Sequence, residues 1–370
     1  MPAKQDDHTR SLNSPSKGVA FLPCDRLRPF LEELARLYTV FVPVRSGATR
    51  HFRPYTDTLA IQSLDLCSAR TVQPLKAFLF SCRGRVAEGF SPEVLAKRDR
   101  PICVLGAKAC DLDALGILDT VFLDAPPTEP YYAQTRENAL IIAADCARPL
   151  STCFCTALEG APYPTKDFDA AITELTDGWL VEVANEKGET MLSAAGELLS
   201  EAKEAHFVER DASRRRAVET VEANVREYGP PPAGELEGAV AAAYDAPVWE
   251  EEALRCVECG ACNTICPTCH CFYLYEHEEE GCAARFRAWD SCLLKTFARV
   301  AGGDNPRSRL WMRLRNRFEK KFDFFPRVAG VNACTGCGRC ITACPARIDI
   351  RHVLREVAAY AGAGESVPPA

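Results

Sequence analysis

Two rhythms of apolar and polar positions divide the chain. Over the first two hundred residues, short runs rich in Val, Ile and Leu alternate with amphipathic stretches, which predicts an α/β or α+β domain. Val40 to Arg45, Pro101 to Gly106 and Ala139 to Ala144 read as strands. Asp25 to Leu37 reads as a helix with Leu27, Phe30, Leu31, Leu34 and Leu37 on one face. Asp111 to Val121 reads as a second helix, opened by acidic residues that suit a helix N-terminus. Phe168 to Leu175 and Trp179 to Ala184 flank Thr176-Asp177-Gly178 and predict a hairpin, because Asp-Gly supports the positive φ angles of a tight turn.

From Glu189 to about Tyr228 the pattern turns charged and helical, then breaks at Gly229-Pro230-Pro231-Pro232-Ala233-Gly234. Beyond Cys266, Phe286 to Phe322 again has helical spacing, with Trp311, Leu314 and Phe318 on one face. The expected organisation is a disordered tail over 1–17 and an α/β domain with a helical C-terminal part over 18–228. A linker and lead-in over 229–248, a helical domain over 249–360 and a tail over 361–370 complete it.

Composition narrows the class. The chain has 370 residues, 47% hydrophobic and 26% charged, long enough for two domains with cores. No apolar run approaches the roughly 18 residues that span a bilayer. A net charge of -7 provides no overall basic field for nucleic acid. The first 17 residues lack an apolar h-region. The expectation is a soluble cytoplasmic protein with neither membrane nor nucleic acid as partner.

Twenty cysteines change the picture. Eight precede Thr156, none lies between Thr156 and Arg255, and twelve run from Cys256 to Cys344. In a chain without an export signal this points to metal ligation rather than disulfides. Cys256-Val-Glu-Cys259-Gly-Ala-Cys262-Asn-Thr-Ile-Cys266-Pro267 and Cys334-Thr-Gly-Cys337-Gly-Arg-Cys340-Ile-Thr-Ala-Cys344-Pro345 both match C-x2-C-x2-C-x3-C-P at every position. Three thiolates at that spacing wrap one face of a cubane, and Gly260, Gly336 and Gly338 let backbone amides approach its sulfurs. The fourth cysteine reaches the other cluster. The predicted ligand sets for two [4Fe-4S] clusters are Cys256, Cys259, Cys262 and Cys344, and Cys334, Cys337, Cys340 and Cys266. Zinc also uses C-x2-C units, but four ligands give no reason for a third step and a Cys-Pro.

A third set is less contiguous. Cys110 opens a predicted helix after the strand Pro101 to Gly106; Cys146, Cys153 and Cys155 follow the strand Ala139 to Ala144. If these strands are parallel neighbours, their carboxyl ends bring four thiols to the edge where α/β sheets hold ligands. The competing reading is that these are small core residues.

The chain resembles the iron–sulfur β subunits of soluble NiFe hydrogenases and sulfhydrogenases, a group that includes the corresponding iron–sulfur subunit of anaerobic sulfite reductase. The likeness rests on Gly106-Ala-Lys-Ala-Cys110-Asp-Leu-Asp-Ala-Leu, Pro130-Tyr-Tyr with Arg136-Glu-Asn, and Cys153-Phe-Cys155. Cys266-Pro-Thr-Cys269-His-Cys271, Trp289-Asp-Ser-Cys292 and Cys334 to Ile350 carry the rest. It implies an electron-transfer protein that links a flavin-containing NAD(P)H-reactive γ subunit with a catalytic subunit, and a third [4Fe-4S] cluster on Cys110, Cys146, Cys153 and Cys155. The 67 residues between the motifs are similar in helical pattern to the α-helical ferredoxins of fumarate reductase and heterodisulfide reductase, which implies an all-α dicluster domain.

Cys269, His270 and Cys271 read as a turn packed beside a cluster or as donors to it. Cys282 and Cys292 read as buried small residues or redox thiols, Cys103 as core, and Cys24, Cys67 and Cys82 as ordinary thiols. Seven basic residues from Arg307 to Lys321 form either a solvated helix face or a charge that docks a partner or offsets thiolates. No acid/base or nucleophile arrangement stands out, so no catalytic residue is named, and neither G-x-G-x-x-G nor a P-loop occurs where flavin or NAD would need it. The rival readings are a stand-alone reductase that binds a small molecule in its first domain, and an iron–sulfur scaffold or sensor.

Overall fold

The computed structural model describes residues 18–88, 100–236, 238–279 and 281–364. The tail expected over 1–17 lies outside the described residues, as do 365–370 of the tail expected over 361–370 and the side chain of Cys282; 361–364 instead continue the helix Ile350–Gly364. The first domain is built on a seven-stranded mixed sheet. Its strands are β1 (Gly18–Pro23), β2 (Thr39–Ser46), β3 (Thr49–Pro54), β5 (Ile102–Ala107), β6 (Leu140–Ala144), β7 (Ala170–Glu174) and β8 (Gly178–Val183), with β4 (Arg83–Glu88) in a separate sheet. The order is β1-β8-β7-β6-β5-β2-β3, with β2, β5, β6 and β7 parallel and the rest antiparallel.

The central strands are buried on both faces, as continuous apolar runs require. Cys103, Leu105, Leu140 and Ile142 pack with Phe30, Leu31 and Leu34 of the helix Leu27–Leu37 on one side. Ile102, Val104, Ile141 and Ala143 pack with Leu112, Leu115 and Leu118 of the helix Ala109–Asp119 on the other. The Asp-Gly turn joins β7 to β8 in the antiparallel hairpin that the sequence predicts.

The helix Glu204–Tyr228 packs against the sheet through Arg210 and Arg214, which pair with Glu182 of β8, and ends at Gly229, whose φ of 60° is a left-handed cap. A third core follows, where Trp249, Leu314, Phe318, Phe322 and Val353 gather with Cys262, Cys334 and Cys340 at their margin.

The expectation of an all-α dicluster domain does not hold. Strands β9 (Phe272–Glu279) and β10 (Cys282–Trp289) form a hairpin inside the insert between the two motifs, and β10 pairs with β4 of the first domain. The cause is a period-two pattern that helical spacing obscures. Ala284 and Phe286 face inward while Ala283 and Arg285 face out, Tyr275 stacks on Phe286, and Arg285 pairs across the strands with Glu276 at 2.5 Å. Helix begins only at Leu310–Glu319, so the segment expected to be helical from Phe286 onward holds a strand and a loop first.

Candidate metal centres

Cys256, Cys259, Cys262 and Cys344 line one cavity, so the fourth cysteine of the second motif lies with the first three of the first. Cys340 and Arg317 also reach its wall. Cys334, Cys337 and Cys340 lie close enough to interact electrostatically, and Cys334 and Cys340 also do so with Cys266. Burial pushes the thiol of Cys262 to about 11 and that of Cys340 to about 12. Cys266 goes the other way: a hydrogen bond from Cys269 pulls it well below the usual thiol value, and Lys321 and Arg317 add to the effect against burial.

The parallel pairing of β5 and β6 places the loops after them side by side. Cys110, Cys146, Cys153 and Cys155 line a second cavity with Arg70, Lys108, Gly336 and Cys337. Burial raises all four thiols, Cys146 to about 12. Cys110 sits in the first turn of the helix Ala109–Asp119, and the loop that carries the other three is braced from three directions. Lys108 donates to the carbonyls of Leu66 and Asp145 at 2.6 and 2.8 Å, Asn224 to those of Leu150 and Cys153 at 2.9 and 3.2 Å, and Arg351 to that of Ser151 at 2.8 Å.

The second motif lies directly against this loop. Phe154 N–H donates to the carbonyl of Gly336 at 2.8 Å, and Arg70 donates to the carbonyl of Cys337. A Cβ on Gly336 would fall 2.6 Å from the backbone of Cys155, and its φ of 63° already disfavours a side chain.

Among the described residues no three Cys, His, Asp or Glu side chains gather round a single point as the ligands of one ion would; the thiols ring cavities instead. The polar atoms left over suit sulfur-rich occupants. Arg317 Nη2, Arg339 Nη1 and Thr335 Oγ1 are buried without a hydrogen-bond partner beside these thiols, and donors aimed at cluster sulfurs would satisfy them.

Residues 255–348 match the family model of a 4Fe-4S dicluster domain. Along most of its length the chain is similar to sulfhydrogenase 2 subunit beta of Pyrococcus furiosus, 34% identical over 333 residues, which span 89% of this chain and 95% of the relative. The chain belongs to the sulfhydrogenase β-subunit family. No solved structure matches it. The family resemblance expected from Cys110, Cys153-Phe-Cys155 and the two motifs therefore holds, and the C-terminal region is an iron–sulfur region. No described helix is long and apolar enough to cross a membrane.

The other cysteines divide. Cys67 and Cys103 are core. Cys269 and Cys271 sit beside the first motif, where Lys76 donates to the Cys269 carbonyl at 2.8 Å and lies 4.3 Å over the Trp289 ring. Cys292 is buried and accepts a hydrogen bond from Asn263 Nδ2 at 3.1 Å.

Sequence reasoning left Arg317 and Lys321 in a basic run with three readings, thiolate offset among them, and did not single out Arg70, Lys108 or Arg339. Arg70, Lys108, Arg317, Lys321 and Arg339 are all buried. One signal was available: Arg313, Arg317 and Lys321 recur every four residues, in step with Leu314, Phe318 and Phe322, so both rows belong on inward faces of one helix.

Proposed function

We propose that this chain is the electron-relay subunit of a cytoplasmic oxidoreductase complex, passing single electrons through three [4Fe-4S] clusters. The ligands are Cys256, Cys259, Cys262 and Cys344 for the first, Cys334, Cys337, Cys340 and Cys266 for the second, and Cys110, Cys146, Cys153 and Cys155 for the third. The relay links a flavin-containing NAD(P)H-reactive γ-type subunit with a catalytic subunit of hydrogenase or sulfur-compound-reducing type; the relative from Pyrococcus furiosus is named as one subunit of a sulfhydrogenase. The clusters supply reversible one-electron chemistry. The protein's part is to fix their spacing, exclude water and set their potentials through charge and hydrogen bonds.

The observation that carries this reading is the contact of Gly336 and Cys337 with Cys153 to Cys155. The loop that offers ligands to the second cluster touches the loop that offers ligands to the third. Cluster-to-cluster transfer between the two domains needs such a junction.

The test is iron and acid-labile sulfide per chain in anaerobically purified protein, with EPR of the reduced form. About 12 iron atoms, falling to about 8 in a Cys153→Ser/Cys155→Ser variant, is the expected result. About 8 in both would remove the third cluster and end the route through the first domain.

A further inference from the structure

The basic run from Arg307 to Lys321 is only partly a solvated face: Arg309 and Lys320 are exposed. Arg313, Arg315, Arg317 and Lys321 are all buried. Arg313 pairs with Glu258 at 2.5 Å, and Arg315 with Glu319 at 3.5 Å while stacking on Tyr244. Their charges are balanced within the protein.

Arg317 and Lys321 differ. Arg317 is 4% exposed and forms no carboxylate pair among the described residues; Nε donates to Asn263 Oδ1 at 2.9 Å, and Nη2 is buried without a partner. It lines the cavity of Cys256, Cys259, Cys262 and Cys344, which Cys340 also reaches. Lys321, also 4% exposed, brings Nζ to 3.4 Å from Cys266 Sγ. Its other contacts, Thr268 Oγ1 at 2.8 Å and the Ala333 carbonyl at 2.9 Å, are neutral. A buried cation without an anion costs several kcal/mol. The groups that face these two are ligand-type cysteines: Arg317 shares its cavity with Cys262 and Cys340, and Lys321 lies against Cys266.

We propose that Arg317 and Lys321 form a cationic seam between the two C-terminal clusters and raise their reduction potentials, Arg317 acting on both and Lys321 on the one held by Cys266. This rests on the ligand assignment of the preceding subsection. Each reduction adds one electron and one negative charge to a site already ringed by four thiolates, with no proton taken up. A fixed positive charge at hydrogen-bond range stabilises the reduced form more than the oxidised one. Both are positioning residues, acting through the cysteine sulfurs.

The experiment is a potentiometric titration followed by EPR on the full chain, comparing Arg317→Gln, Arg317→Lys, Lys321→Gln and Lys321→Arg at measured iron content. In Arg317→Gln the reduced-to-oxidised ratio at a fixed potential should fall about tenfold for both C-terminal clusters, which for one electron is about 59 mV. Lys321→Gln should shift one cluster only, and the charge-retaining variants should recover most of the loss. Lys321→Gln leaves the 2.7 Å bond from Thr268 to the Ala333 carbonyl in place, so it decides the matter if Arg317→Gln does not retain iron. Wild-type potentials in an iron-replete Gln variant would overturn the seam. A failure of the ligand assignment looks different: Cys344→Ser and Cys266→Ser would keep wild-type iron and spectra.

Discussion

Arg339 and Asp111 form an ion pair at 2.8 Å with both side chains fully buried, although 228 positions separate them in the chain. Arg339 lies between two ligand-type cysteines of the second motif, and Asp111 directly follows Cys110. The bond therefore ties the second cysteine motif to the helix Ala109–Asp119 that carries Cys110. Removing one partner strands a charge in a dry interior, so Asp111→Ala should cost about 3–5 kcal/mol in denaturant unfolding, and an Asp111→Leu/Arg339→Met double variant much less than the sum of its parts. A cost below about 1 kcal/mol for Asp111→Ala would reduce the pair to the worth of a surface contact.

The exchange of fourth ligands between motifs is separately testable. Cys344→Ser should alter the same EPR signal as Cys259→Ser, and Cys266→Ser the same signal as Cys337→Ser. If Cys344→Ser instead matched Cys337→Ser, each motif would be self-contained.

Gly336→Ala meets the backbone of Cys155 in addition to a strained φ, whereas Gly330, at φ 71°, has open space where a Cβ would go. Gly330→Ala should lower stability by about 1 kcal/mol and leave iron unchanged. Gly336→Ala should lose iron from both the second and third sites, read as iron per chain. Equal behaviour of the two variants would mean the loops are not in contact.

His270 gives the pH dependence a direction. Burial lowers its pKa from the usual 6.5 to about 4. Between those values the unfolded chain takes up a proton that the folded one refuses, so stability is full above pH 6.5 and falls as pH drops toward 4. At about 1.4 kcal/mol per unit the loss is at most ~3 kcal/mol, and His270→Asn should flatten that part of the curve. Unfolding curves for the two proteins at pH 7 and pH 4.5 check this; parallel losses would assign the acid sensitivity elsewhere.

Much of the first domain was legible because its strands carry their own signal. Ile102–Ala107 and Leu140–Ala144 are apolar on both faces, and Asp177-Gly178 locates its turn although neither residue takes a positive φ; Gly178 is needed instead because a Cβ there would fall 2.2 Å from the Leu22 carbonyl oxygen. Phe272–Glu279 carries four acidic or histidine positions and takes its backbone pairing from Cys282–Trp289, whose own partner lies some two hundred residues earlier. No local rhythm records a partner so distant. The eight motif cysteines declare themselves by spacing. Arg317 and Lys321 carry only the weaker signal of a four-residue recurrence in step with Leu314, Phe318 and Phe322, which places them inward but does not say that they meet thiols.

The small sheet has a practical meaning for anyone hoping to cut a portable ferredoxin from this chain. A fragment beginning near Pro247 would keep every cysteine of both motifs and yet leave one flank of Cys282–Trp289 bare, because its neighbour Arg83–Glu88 would be gone. Bare strand edges recruit other chains, and such a fragment should aggregate where the full chain does not. The cysteine-rich half and its α/β half thus share one sheet, and neither has a complete surface without the other.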